Sequence, residues 1–228
     1  AARHFRHEKA MTPPVKRYTA MTMAVRTAMI LLIFVTIFTG LLSGAYLWTR
    51  PAIDAAASAE KMKLIDEVLP RSAYDNSLLQ NTVAIPASPA LGLDEASTAY
   101  LALKGGRPQA LVLEAVAPDG YAGKIRLLIA VAPDGRVFGV RVTQHKETPG
   151  LGDYIEPKKD KNKAQPWITQ FDGANPATTD ERDWKVKKDG GMFHSMAGAT
   201  VTPRAVIKAV RNAARFAADN RDRLFAAQ

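Results

Sequence analysis

The chain has 228 residues, 47% of them hydrophobic and 23% charged, and a formal net charge of +9. A chain of this length holds one or two domains. It contains no cysteine, which excludes disulfides, thiolate-held iron–sulfur or zinc sites and c-type haem attachment. The four histidines show no metal-ligand spacing, so they are interpreted as solvated or hydrogen-bonded side chains and no metal site is predicted: His4, His7, His145 and His194.

A long apolar segment lies near the N-terminus. Thr27 to Trp48 comprises 22 residues without a formal charge, and a helix of that length crosses a hydrocarbon core of about 30 Å. A cleaved signal peptide is the alternative, but its apolar region is typically about 7–15 residues long and ends at a small-residue cleavage site. Here the apolar run continues through residues 46–48, past the small residues 43–45. We therefore predict a retained transmembrane helix over 27–48, in contact with membrane lipid.

The basic residues are concentrated ahead of this span. Residues 1–50 carry seven Lys or Arg and one acid, a net charge of +6, and Arg50 alone of the seven follows the span. By the positive-inside rule the N-terminus is cytoplasmic. We predict a single-pass protein of the bacterial inner membrane, with a basic cytoplasmic segment 1–26, the span 27–48 and a periplasmic domain 49–228. The remaining charge of +3 gives no reason to invoke nucleic-acid binding.

Beyond the span, the pattern predicts a helix and then a sheet. The alanine-rich run from Pro51 to Leu69 is typical of a helix that ends before Pro70. Apolar or alternating runs separated by Gly-Gly and Pro-Asp-Gly turns then predict an antiparallel meander with one buried face. The predicted strands are Thr82–Ile85, Thr98–Leu103, Gln109–Ala117, Lys124–Ala132 and Arg136–Gln144.

The C-terminal part is predicted to contain a short strand over Asp183–Gly191 that ends in a glycine turn, and a final helix from Pro203 to Ala226. Thr202 suits the N-cap of that helix and Pro203 its first position. The fold class is therefore α+β, a single N-terminal transmembrane helix followed by one domain with an antiparallel sheet and flanking helices. The predicted core side chains of this part are Trp167, Ile168, Phe171, Val206, Ile207, Val210, Ala213, Ala214 and Ala217.

The residues before the final helix carry the first functional signal. Gly198 and Ala199 are small enough to let a large group approach the backbone. The helix that follows offers N–H groups and the positive end of its dipole to an anion. Thr200 therefore presents a hydroxyl beside a natural phosphate site.

Several separated motifs together carry a resemblance. They are Gly120-Tyr121-Ala122-Gly123-Lys124-Ile125, Glu147-Thr148-Pro149-Gly150-Leu151-Gly152 and Gly198-Ala199-Thr200, accompanied by the runs Trp184–Gly191 and Thr202–Val206. This combination resembles the covalent FMN-binding domain of the membrane redox complexes Rnf and Nqr, and most closely the G subunit of Rnf. The resemblance covers the chain from the membrane span to the final helix.

The resemblance implies a flavin site. In that family FMN is attached by a phosphodiester to the last threonine of an (S/T)GAT pattern, which here is Thr200. It further implies that the 147–151 loop lines the isoalloxazine ring, with Gly150 allowing close backbone approach and Leu151 giving apolar contact. The predicted cofactor-binding residues are Thr200, Glu147, Thr148, Gly150, Leu151, Gly198, Ala199 and Thr202.

Two positions depart from the family's attachment pattern. That pattern usually has Asp six residues before the threonine and Ser or Thr three residues before it, where this chain has His194 and Ala197. The threonine and its Gly-Ala neighbours are kept. Covalent attachment therefore remains the prediction, with a flavin transferase as the maturation partner.

The resemblance also implies a role in electron transfer. FMN is expected to accept and pass electrons outside the cytoplasm, within a complex of membrane and peripheral subunits that couples electron flow between ferredoxin and NAD to ion transport. No nucleophile–base pair or GxSxG elbow is visible in the sequence, so no catalytic residue is predicted and a hydrolase is disfavoured. Two alternatives stay open, the C subunit of a sodium-pumping NADH:quinone reductase and a membrane-anchored assembly module without flavin.

Overall fold

The computed structural model describes residues 19–226. The predicted basic segment 1–26 therefore lies largely outside the described residues, together with His4 and His7. The chain divides into two compact units, Ala1–Ala55 and Ala56–Gln228.

The first element is one long helix, α1, which spans Ala20–Val68. The helix is long and apolar enough to cross a membrane. Its apolar side chains in the first unit are exposed, for example Phe34 at 63% and Leu41 at 67%. Exposed apolar surface of this extent is unfavourable in water and favourable in lipid. The helix continues through Pro51, so the predicted span and the predicted helix that follows it are one element.

The second unit is built on a five-stranded antiparallel sheet in the order β1-β2-β3-β4-β5. Each strand agrees with its predicted run to within two residues at either end, because local turns connect neighbouring strands. The strands are β1 Thr82–Ile85, β2 Ser97–Lys104, β3 Arg107–Ala117, β4 Ile125–Val131 and β5 Val137–Gln144.

Both faces of this sheet are covered, so the prediction of one buried face is wrong. The helix α2, Val201–Asp219, packs against β3 and β4 on one face. On the other face, Ile65 and Val68 from the end of α1 pack with Val112 and Ala130. The nearly continuous apolar run of β4, in which only Arg126 is exposed, is typical of a strand buried on two sides.

The C-terminal helix does not have the predicted bounds. It begins at Val201 with Thr200 at its N-cap position and ends at Asp219, and a separate short helix α3, Arg221–Leu224, follows. Thr202 is therefore not the N-cap but lies in the first turn, and Pro203 occupies the third helical position. The apolar stripe of this helix is buried, as predicted.

The segment between β5 and α2 contains short 3-10 helices. The strand predicted over Asp183–Gly191 is wrong, because Val186 forms only an isolated bridge with Phe193. The glycine turn is present, with Gly190 at a φ of 84° that glycine adopts without strain. The predicted core residues Trp167, Ile168 and Phe171 are buried. The 3-10 helices are Asp153–Ile155, Trp167–Phe171, Glu181–Asp183 and Lys187–Asp189.

Candidate functional site

A cavity of about 260 Å³ lies at the N-terminus of α2, where three sequence motifs meet. Three residues outside the predicted binding set also line it, Tyr121, Gly152 and Val201. Gly150 is in the same loop but is not part of the lining. The predicted binding residues that line the cavity are Glu147, Thr148, Leu151, Gly198, Ala199, Thr200 and Thr202.

Thr200 lies at the N-cap position with helical backbone angles, φ −95° and ψ −19°, and its side chain makes no capping hydrogen bond. The first N–H groups of an α-helix have no partner within the helix, and the dipole is positive there. The first turn of α2 contains no acidic residue that would compete with an anion. Thr200 therefore lies beside a helix terminus that favours negative charge, in a cavity whose wall also contains the carboxylate of Glu147.

Glu147 connects the three motifs. Its side chain is buried, with the residue 4% exposed. Its Oε1 accepts a hydrogen bond from the Ala122 N–H at 3.0 Å, and its Oε2 accepts one from the Thr202 hydroxyl. The Glu147 N–H in turn donates to Nδ1 of His145 at 3.1 Å. Both carboxylate oxygens thus already bond within the protein and hold the cavity wall together, which the sequence did not predict.

Two glycines allow the chain to pack closely around this carboxylate. A Cβ on Gly152 would lie 2.7 Å from Glu147 Oε2 and 2.9 Å from Thr202 Oγ1. A Cβ on Gly120 would lie 2.9 Å from Glu147 Oε1. Gly150 differs from these two glycines. Its φ of +76° lies in the left-handed region that favours glycine, whereas nothing lies within 4 Å of the position that its Cβ would take.

These two kinds of glycine predict different responses to alanine. We expect Gly152→Ala to lower the free energy of unfolding by about 1–3 kcal/mol, because overpacking against buried groups forces them apart. Gly150→Ala should cost about 1 kcal/mol from backbone strain alone and leave the Glu147 contacts intact. Urea denaturation of the two variants measures the difference, and a Gly152→Ala variant as stable as the wild type contradicts the packing.

The run Trp184–Gly191 is tied to the start of α2 by a bidentate ion pair. Arg204 donates from Nε to Asp189 Oδ2 at 2.7 Å and from Nη2 to Asp189 Oδ1 at 2.8 Å. The hydrogen bond from Arg204 holds the pKa of the Asp189 carboxyl below its usual range. A lowered pKa stabilises the fold above the carboxyl's unfolded pKa, and this contribution is lost as the pH falls through the folded pKa. Because the pair is exposed, the contribution is small.

Exposed apolar side chains surround the cavity mouth. Tyr121 is 71% exposed, Leu151 49% and Val201 43%, and all three line the cavity. Among the described residues of the second unit, Met192 is the one other large hydrophobic side chain with comparable exposure, at 37%. Apolar walls with a few polar groups are typical of a pocket for an organic ligand.

Comparison with known proteins finds a matching domain family and related chains. The FMN-binding domain family matches residues 120–215, which include every segment that lines the cavity. The G subunit of the ion-translocating oxidoreductase complex of Pseudomonas aeruginosa (strain UCBPP-PA14) is 44% identical over 201 residues, covering 88% of this chain and 92% of that protein. The G subunit of the same kind of complex in Shewanella baltica (strain OS223) is 38% identical over 201 residues, with the same coverage.

Among solved structures, the crystal structure of Shewanella oneidensis NqrC matches with a TM-score of 0.40 and 23% identity, over 62% of this chain and 65% of that chain. The two G subunits, at 44% and 38% identity over most of both chains, are far more similar to this chain than the 23% identical NqrC. They confirm the resemblance found in the sequence motifs. The chain belongs to the family of G subunits of ion-translocating oxidoreductase complexes.

Proposed function

We propose that this chain is a membrane-anchored flavoprotein that relays electrons within an ion-translocating oxidoreductase complex, with FMN bound covalently to Thr200. The observation that carries the proposal is the Thr200 hydroxyl, which is not used for capping and lines a cavity at the N-terminus of α2. The FMN-binding domain match and the relatives among the G subunits support it.

The residues around the cavity fit the cofactor. The helix terminus suits the phosphate, and the apolar rim of Tyr121, Leu151 and Val201 suits a planar ring system. The cavity, about 260 Å³, is smaller than the roughly 300–1,000 Å³ typical of pockets that enclose a whole ligand. We infer that part of the cofactor lies outside the cavity, as suits a carrier that exchanges electrons with neighbouring subunits. FMN, when bound, supplies the redox chemistry and the protein supplies binding and orientation.

Attachment to Thr200 is a group transfer that requires an activated donor. The threonine oxygen forms a bond to the phosphorus of the FMN moiety of FAD, the pyrophosphate bond breaks, and AMP leaves. The hydroxyl proton passes to a base. Glu147, the carboxylate in the cavity lining, is already bonded to Ala122 and Thr202 and is poorly placed for this role. We therefore infer that a separate flavin transferase supplies the base.

We further propose the cellular placement and the partners. The excess of basic residues before the apolar helix supports an inner-membrane protein with a cytoplasmic N-terminus and a periplasmic domain over 49–228. The partners are the other membrane and peripheral subunits of the complex, which passes electrons between ferredoxin and NAD and couples this flow to ion transport. The names of the relatives support this assignment to a complex.

The test is to express the full chain with a flavin transferase, purify it in detergent and denature it. We expect a fluorescent band in the denaturing gel and an added mass equal to FMN minus water. A chain without flavin from a host with a working transferase contradicts the proposal and favours the assembly module. Co-purification of a ferredoxin-type iron–sulfur subunit supports the proposed complex, whereas a quinone-reducing partner favours the alternative C subunit.

A further inference from the structure

The six residues before Thr200, His194–Ala199, form what we call the acceptor segment. Its first peptide groups are held by two side chains of the 3-10 helix Trp167–Phe171. Nε1 of Trp167 donates to the His194 carbonyl at 2.6 Å, and the His194 N–H donates to Oε1 of Gln170 at 2.7 Å. The start of the segment is thus fixed through its main chain.

The end of the acceptor segment is held by one hydroxyl. The Met196 N–H donates to Oη of Tyr154 at 3.3 Å, and the same hydroxyl donates to the Ala199 carbonyl at 3.4 Å. A single side chain therefore spans the turn that leads directly into Thr200. Burial raises the pKa of the Tyr154 phenol, which favours the protonated hydroxyl that donates this bond.

Tyr154, Trp167 and Gln170, which we call the clamp, are positioned by contacts of their own. Tyr154 and Trp167 are 4% and 7% exposed, and their rings meet edge to face at 5.5 Å. The backbone N–H of Trp167 donates to Oδ2 of the buried Asp160 at 2.5 Å. Nε2 of Gln170 donates to the backbone carbonyl of Trp167 at 3.0 Å. The clamp is therefore held by contacts that do not involve the acceptor segment.

The side chains of the acceptor segment that depart from the family pattern do not take part in this clamp. His194 and Ala197 are exposed, and the ring of His194 contacts Nζ of Lys187 at 2.8 Å. The hydrogen bonds from the clamp reach peptide groups of the segment and use neither side chain. The clamp thus holds the main chain of the segment, while the side chains of His194 and Ala197 remain exposed.

We propose that Tyr154, Trp167 and Gln170 are positioning residues for flavin attachment, which hold the acceptor segment so that the Thr200 hydroxyl is presented to the transferase. This inference rests on the proposed attachment of FMN to Thr200. The clamp is expected to govern the rate of transfer in the bound complex.

The test measures the initial rate of covalent flavin incorporation into the purified full chain by a flavin transferase with FAD. Tyr154→Phe and Gln170→Met remove hydrogen bonds to the segment and preserve side-chain size. We expect each variant to lower kcat by about tenfold or more. Misplacing a reacting group by about 1 Å costs roughly a hundredfold in rate, and this sets the upper end of the expected loss. The KM for the chain should be unchanged, because no exposed side chain of the acceptor segment is altered.

Thr169→Val is the matched control, because Thr169 lies in the same 3-10 helix and its hydroxyl donates to the Pro166 carbonyl at 2.8 Å rather than to the acceptor segment. We expect wild-type kcat for this variant even if its melting temperature falls.

Amide hydrogen exchange gives a readout that does not require flavin. The Met196 amide should exchange faster in Tyr154→Phe than in the wild type, and Thr169→Val should not change it. Wild-type exchange and wild-type kcat in both clamp variants would overturn the inference. If the wild-type chain itself accepts no flavin, the proposed function fails, and the exchange rates still decide whether the clamp holds the segment.

Discussion

Thr200→Ala should abolish covalent flavin and leave the protein folded. The proposed phosphodiester has no oxygen to form on once the hydroxyl is removed, so both the fluorescent band and the added mass should be lost. The variant should remain stable because Thr200 makes no capping hydrogen bond. Replacing a threonine that does cap a helix typically costs about 1 kcal/mol, and here we expect less.

Two further variants make this result specific. Thr200→Ser keeps a hydroxyl at the same position and should keep covalent flavin, although at a changed rate. Thr148→Ala removes a different hydroxyl from the same cavity lining and should also keep it. Covalent flavin that persists in Thr200→Ala, or that is lost from Thr148→Ala instead, assigns the attachment to another residue.

The strands could be predicted from the sequence because the signals that determine them are local. Gly-Gly and Pro-Asp-Gly turns connect β2 to β3, β3 to β4 and β4 to β5, and each strand pairs with the next along the chain. The strand predicted over Asp183–Gly191 is wrong although its burial does alternate, with Trp184 and Val186 buried and Lys185 and Lys187 exposed. Alternation alone does not make a strand, because a strand also needs a neighbour with which to form a ladder.

The site could be predicted only in part, because its organisation depends on contacts between distant segments. Thr202 has the residue type of an N-cap, yet its hydroxyl bonds to Glu147, 55 residues earlier. Tyr121 is followed by Ala122, whose N–H donates a hydrogen bond to Glu147, 25 residues later in the chain. A single sequence carries no signal of such pairings, so the local motif points to Thr200 and nothing local assigns Tyr121 to the cavity.

Glu147→Ala should give the largest loss of stability among the substitutions considered for the cavity. It leaves the buried Thr202 hydroxyl and the part-buried Ala122 N–H without their acceptor. An orphaned buried group costs about 1–3 kcal/mol and an ordinary hydrogen bond contributes about 1 kcal/mol, so we expect the free energy of unfolding to fall by about 2–4 kcal/mol. Urea denaturation of the full chain in detergent, followed through the fluorescence of the buried Trp167 and Trp184, measures this loss.

Glu114→Ala is the control for removing a glutamate, because Glu114 is exposed on β3. Its effect on the free energy of unfolding should be within about 0.5 kcal/mol, as is usual for surface substitutions. Equal losses in Glu114→Ala and Glu147→Ala contradict the role of the buried carboxylate in joining the motifs.

Glu147→Gln separates the hydrogen bonds of this residue from its charge. The amide oxygen can accept from the Ala122 N–H, and the amide nitrogen can donate to Thr202, because a hydroxyl also accepts. We therefore expect a loss of only about 1 kcal/mol, the size of one net hydrogen bond. Covalent flavin should be retained, and its midpoint potential should become more positive, because a nearby negative charge disfavours the addition of electrons. An unchanged potential together with a small loss of stability would leave Glu147 a purely structural residue.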